Sequence, residues 1–386
     1  ASTELTSVKK PWILNSIEWT PTLTKRAVID LSFILKKPIL SLTTADYLEN
    51  GLSELLFYYG GQAYQLNLEI FYALRDTITG WPAGKPNAVI PAHPERSEPY
   101  PKKIIIFSPH PDDDIISMGG TFIRLHEQGN NVHVAYQTSG NIAVKDEFAQ
   151  RFIQFAQEFQ HLNTYNDNAL DKTINEINTF IQNKSNGDKD IEILRQIKGL
   201  IRKCEAVATC KYVGLTADKA HFMNLPFYET GEITKKPMSE KDIEITIHLL
   251  NQIQPQQVYC AGDLADPHGT HKVCLEIVQE SLKRIKNESP DGWIKDCWVW
   301  LYKGAWHEWS IDEIEMTIPM SPEQVIQKRF GVYIHQSQKD IVPFQGADNR
   351  EFWQRAEERN AETAQKYASL GLTKYAAMES FVRWKF

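Results

Sequence analysis

Four large apolar residues in a row, Ile104-Ile105-Ile106-Phe107, stand between a proline-rich stretch and a cluster of ionisable side chains. So short and unbroken a run suits a strand buried on both faces, as in a parallel sheet. Residues 119–128 then have the pattern of a helix and residues 132–136 that of a second strand, which makes an ordinary strand–helix–strand unit. Residues 212–215, 222–225, 257–261, 297–301 and 315–318 are further strand candidates. Helices are expected at 191–203, 243–253, 352–370 and 374–381, with a start at Ser321-Pro322 where a hydroxyl can cap and proline fits the first turn. Phe148, Phe152, Phe155 and Phe159 fall at helical steps and predict a core-facing stripe. The polar, Asn-rich residues 163–190 predict a surface insertion. Alternating strands and helices imply an α/β fold, a mostly parallel, Rossmann-like sheet with helices on both faces.

Upstream the pattern differs. Ala27, Val28, Leu31 and Leu35 recur at helical spacing, and further helices are expected around Leu55 and Leu66. Pro82, Pro86, Pro91, Pro94, Pro99 and Pro101 exclude a helix interior or central strand from residues 81–101. The expected division is a helical N-terminal extension with a connector over residues 1–100, and a second domain over 101–386.

Lys+Arg 42 against Asp+Glu 49 leaves the chain at net −7, with no basic stripe, so nucleic acid is excluded as a partner. No run is long and apolar enough for a membrane helix, so a membrane partner is not expected either. The five cysteines are an odd number with no C-x-x-C pair, the usage of a reducing compartment, and the expected location is the cytoplasm. Residues 1–11 lack the apolar segment of an intact secretory signal.

The chemistry concentrates after the first strand, at Ser108-Pro109-His110-Pro111-Asp112-Asp113-Asp114, and ligands of open α/β sheets bind at the carboxyl ends of strands. Adjacent carboxylates repel, and a divalent cation would relieve them. Imidazole with carboxylate suits zinc, with iron(II) a possible substitute. A purely structural reading is an Asp-rich turn that caps a helix. A second cluster, Asp263, Asp266 and His268-Gly269-Thr270-His271, follows the strand at 257–261. Its two histidines, three apart, project to nearly the same side of a helix start.

Pro109-His110-Pro111-Asp112-Asp113 with Gly119-Gly120, together with His268-Gly269-Thr270-His271, resembles the signatures of the PIG-L/LmbE family of zinc-dependent de-N-acetylases. The resemblance covers roughly residues 102–386. It implies His110, Asp113 and His271 as zinc ligands, Asp112 as general base and His268 as stabiliser of the oxyanion. Asp114 stands where the family usually has Glu, and Gly269-Thr270 replaces Pro-Asp, removing an acidic side chain that could orient His268. His335-Gln336-Ser337-Gln338 resembles a later family segment that either packs a helix or meets substrate. Lys10-Pro11-Trp12, Glu18-Trp19 and the run to Leu35 are similar to the tail of glucosamine-6-phosphate deaminase-like proteins with a PIG-L-type domain at their C-terminus. That implies the C-terminal portion of such a fusion.

The expected activity is hydrolytic removal of acetate from an N-acetylglucosamine-type sugar or conjugate. The alternatives are an amidase on another conjugate, or a non-catalytic sugar-binding or scaffolding domain. Ser139 and Asn141, after the second strand, are expected substrate contacts, and Glu229 is a comparable candidate. Trp293, Trp298, Trp300, Trp306 and Trp309 are expected to pack rather than stack on sugar. Assembly into a homo-oligomer stays open.

Overall fold

The computed structural model describes residues 18–162, 168–185, 187–232, 235–262, 269–305, 307–339 and 350–386. In chain order the elements are α1 (Pro21–Leu35), α2 (Thr44–Glu49), α3 (Ser53–Tyr58), α4 (Ala63–Thr77), β1 (Lys103–Ser108), α5 (Asp113–Glu127), β2 (Asn131–Tyr136) and α6 (Asp146–Leu162). There follow α7 (Asn168–Asn183), α8 (Glu192–Val213), β3 (Ala220–Phe222), α9 (Glu240–Ile253), β4 (Gln257–Ala261), α10 (Thr270–Glu288) and β5 (Trp298–Tyr302). The last are β6 (Met316–Met320), α11 (Pro322–Tyr333), α12 (Phe352–Ser369) and β7 (Ala377–Trp384).

Two compact units share these elements. One takes the described residues of Ala1–Gly80 with Trp309–Ser321 and Asn360–Ser380; the other takes Trp81–Glu308, Pro322–Arg359 and Phe381–Phe386. A division at residue 100 therefore differs from these units in two ways. The proline stretch belongs with the sheet, because Gln257 Nε2 on β4 donates to the carbonyls of Pro82 and Glu95, each at 3.1 Å. Two segments far along the chain join the helical unit because they complete its core.

In the helical unit, Thr20 caps α1 by accepting from Leu23 N, and Pro21 fits the first turn. Thr43 and Asp46 form a capping box on α2. Val28, Leu31, Leu66 and Leu74 pack with Ile311, Ile314, Tyr367 and Leu370. Buried Asn67 donates to Leu42 O at 2.7 Å and accepts from Tyr47 OH at 2.6 Å.

In the sheet unit the strands β3, β2, β1, β4 and β5 lie side by side in that order, all parallel. The end of β7 pairs antiparallel with β5, Phe381 opposite Tyr302. The chain builds outward from β1 in one direction and then returns to add β4 on its other side. With right-handed crossovers, α5 and α10 cover opposite faces. Ile105 and Phe107 of β1 share one core with Val258, Cys260 and residues of α9 and α10. Opposite lie α5 and α11, where Gly331 permits close approach: a Cβ there would come within 2.8 Å of Ile115.

Several sequence expectations are corrected. Residues 212 and 213 finish α8, which Gly214 caps at φ 109, so no strand forms at 212–215, and the strand expected at 222–225 lies instead at Ala220–Phe222. Residues 168–183 of the expected insertion are a helix. Residues 377–381 are strand, not helix, because they begin β7. Phe152, Phe155 and Phe159 are 44%, 67% and 57% exposed. Helix α6 instead buries the Ala149 and Ile153 face, rotated by one residue from the phenylalanines, and only Phe148 packs partly against that core. Of the cysteines, four are buried and Cys204 is exposed. Among the described residues no helix is long and apolar enough to cross a membrane.

Candidate metal centre

The reversal in strand order puts a crevice at the carboxyl ends of β1 and β4. After β1 the chain turns through residues 109–112 into α5. Ser108 Oγ holds this turn, donating to His110 O at 2.6 Å and accepting from Asp114 N at 3.0 Å. The neighbouring loop after β2 is tied to it, since Thr138 Oγ1 donates to Pro109 O at 2.7 Å.

Asp113 folds back over the turn: its Oδ2 accepts from His110 N at 2.9 Å and lies 3.1 Å from His110 Nδ1. The same oxygen lies 3.3 Å from His271 Nε2, delivered by the first turn of α10. The rings of His110 and His271 have centroids 5.3 Å apart. One donor atom from each of His110, Asp113 and His271 lies within 4.8 Å of the others, the one such cluster among the described residues. Burial works against ionisation of Asp113, yet His271 and His110 together hold its carboxyl well below the usual range. Tetrahedral zinc ligands at about 2.1 Å from the ion stand about 3.4 Å apart, so these two imidazoles and one carboxylate fit a divalent ion with little movement.

Asp112 behaves differently although it is adjacent. It stands at the N-cap position of α5 but makes no side-chain capping bond. Its Oδ1 accepts instead from Arg202 Nη2 at 2.9 Å, and Arg202 also donates to Pro111 O at 3.0 Å. Burial pushes the Asp112 carboxyl up, Arg202 opposes that, and Asp113 adds to it. Asp114 points the other way, into the core, where Tyr136 OH donates to it at 3.0 Å. Burial raises its carboxyl to about 7, against that hydrogen bond. Three consecutive aspartates thus have three environments, which a capping turn alone would not require.

Arg202 escaped sequence reading. It lies on α8 at 1% exposure, and only its position in a helix pattern was visible. The His335-Gln336-Ser337-Gln338 segment braces this helix: Ser337 N and Oγ donate to Glu205 at 2.7 and 2.6 Å, and His335 Nε2 is 2.9 Å from Thr209 Oγ1.

Ser139 and Asn141 lie in the loop after β2 and are engaged by one carboxylate. Ser139 N and Oγ each donate to Glu229 at 2.9 Å, and Asn141 Nδ2 donates to it at 3.2 Å. Burial pushes Glu229 up, and the bonds from Ser139 oppose it. His268, Asp263, Asp266, Trp306 and Lys10-Pro11-Trp12 lie outside the described residues. Trp298 and Trp300 stack on each other with Arg383 over Trp298, and Trp309 packs against the helical core.

Residues 105–282 match the PIG-L family, described as GlcNAc-PI de-N-acetylase. A glucosamine-6-phosphate deaminase-like protein of Bacteroides thetaiotaomicron is 51% identical over 385 residues, which is 100% of this chain and 58% of that protein's length. The chain therefore spans little more than half of the curated relative it matches. N,N'-diacetylchitobiose deacetylase from Pyrococcus horikoshii superposes at a TM-score of 0.45 with 18% identity, covering 73% of this chain and 84% of that one. The hydratase GalB from Pseudomonas putida superposes at 0.45 with 16% identity, covering 74% and 97%. The matched stretch, residues 105–282, carries His110, Asp113 and His271.

Proposed function

We propose that this chain is a metal-dependent hydrolase that removes the N-acetyl group from an N-acetylglucosamine-type amino sugar, releasing acetate in the cytoplasm. The convergence of His110, Asp113 and His271 beside a separately held Asp112 carries the reading. His110, Asp113 and His271 would hold zinc, or iron(II) in its place. A bound zinc supplies a Lewis acid for the acetamide carbonyl and lowers the pKa of water.

The chain's own residues do the rest. Asp112 accepts the proton of the attacking water and returns it to the departing amine. Arg202 favours the ionised form of Asp112 and fixes one of its oxygens, so the base is oriented before substrate arrives. His271 and His110 hold the Asp113 carboxyl well below the usual range, which makes it a weak proton acceptor and leaves that role to Asp112. His268 is assigned the oxyanion on the family resemblance alone. Amino-sugar specificity is supported by the family description and by the name of the Bacteroides relative.

The test is metal analysis of the purified chain with acetate release from N-acetylglucosamine and its phosphorylated and conjugated derivatives. About one zinc or iron per chain, with turnover lost to a chelator and restored by metal, is expected. A metal-loaded chain that releases acetate from none of these would overturn the reading in favour of a sugar-binding domain.

A further inference from the structure

Beside the loop that carries His110 and Asp112 lies a cleft of about 370 Å³, large enough for a substituted monosaccharide. Pro111 forms its edge, and Ser139, Asn141, Arg195, Gly199 and Lys203 contribute to its walls. We propose that this cleft is the second half of the substrate site and takes an anionic group, a phosphate monoester borne by the amino sugar. That the carrier is an amino sugar rests on the function proposed above.

Arg195, Gly199 and Lys203 recur at steps of four and so share one face of α8. Gly199 lets the helix run close to the loop, since a Cβ there would stand 3.3 Å from Ser139 Cβ. Among the described residues neither cation is held in a salt bridge, and Arg195 acts on Glu229 of the same cleft only at longer range. Arg195 Nη1 donates to Asp190 O at 2.8 Å, and Lys203 Nζ lies 5.0 Å above the Phe222 ring. The carboxylates in the cleft are already engaged: Glu229 by Ser139 and Asn141, Glu192 by Gln196 Nε2 at 3.2 Å. Two such cations lining one cleft in a chain of net charge −7 are not a general surface excess. A guanidinium fork and an ammonium are the groups that bind phosphate oxygens. Asn141 is 4% exposed, and its Oδ1 has no hydrogen-bond partner, which leaves an acceptor for a sugar hydroxyl.

The test is calorimetry of the full chain with glucosamine, glucosamine 6-phosphate and inorganic phosphate. Glucosamine 6-phosphate should bind about tenfold tighter than glucosamine, the scale of one charge-assisted contact. In Arg195→Gln/Lys203→Gln that advantage should fall below about threefold while the Kd for glucosamine is unchanged. Both positions reach the surface, and an unchanged melting temperature certifies folding. Equal affinity for the two sugars in the parent chain overturns the proposal, as does an advantage that survives the double substitution. Inorganic phosphate binding as tightly as the sugar phosphate would also overturn it, since the cleft would then be an ion site alone. Acetate release separates the two readings. Equal kcat/KM on N-acetylglucosamine and its 6-phosphate defeats the cleft and leaves the hydrolase, whereas phosphate preference in binding without any acetate release does the reverse.

Discussion

In the helical unit several buried polar groups are neutral and close on one another, Asn67 with Tyr47 and Leu42, Thr77 and Thr317 with the hydroxyl of Tyr367, while buried Asp46 is paired with Lys37 and Glu379 is buried on β7. In the sheet unit burial lifts the carboxyls of Asp112, Asp114, Glu205 and Glu229 above their ordinary range. Neutral hydrogen bonds buried in this way specify packing and ask nothing further. Buried ionisable groups are costly unless something is gained from them, and they gather where the proposed chemistry lies. The contrast places the proposed reaction in the sheet unit.

Substitution of a candidate ligand histidine should break that contrast most severely. His271→Ala should lose tightly bound metal and with it all measurable acetate release, checked by metal analysis; full occupancy would remove His271 from the ligand set. Asp112→Asn should keep its metal while kcat falls about 10²- to 10⁴-fold. Equal loss of metal would show that base and ligand are not separate roles.

Asn67→Ala tests the other side. It strands the Tyr47 hydroxyl and the Leu42 carbonyl, so unfolding free energy should drop by about 1–3 kcal/mol in a denaturant titration, with kcat unchanged. A lower kcat would erase the division of labour. The smallest effect concerns His133, whose Nδ1 is 2.9 Å from His221 Nε2. Burial first, then Lys219 and His221, lowers it to about 4. The unfolded chain thus takes the proton at higher pH than the folded one. Stability is full above about pH 6.5 and declines as the pH falls from there towards 4. His133→Gln should make the fall in melting temperature over that interval shallower.

Local sequence carried much of this. Ile104 to Phe107 could be read as a buried strand because no polar residue interrupts it. His110 to Asp114 stood out because like charges at that density need a counter-charge. Reading failed where distant partners outweigh local preference. Residues 377–381 are rich in helix formers, yet they open a strand whose end, Phe381 and Val382, pairs with Tyr302 and Leu301 of β5. The phenylalanines of α6 kept a perfect helical period but lie beside the buried face rather than on it, because periodicity reports a stripe and not what covers it.

The order of residues by itself determined the strand–helix alternation, the turn that presents His110, and the candidate histidine at 271, since each depends on neighbours within a few positions. Only tertiary structure decided that Asp113 faces both imidazoles while Asp112 turns to Arg202 and Asp114 to Tyr136. The physical reason is that a carboxylate's role is set by what surrounds it. Those surroundings come from β2, α8 and α10, which lie far from the aspartates along the chain.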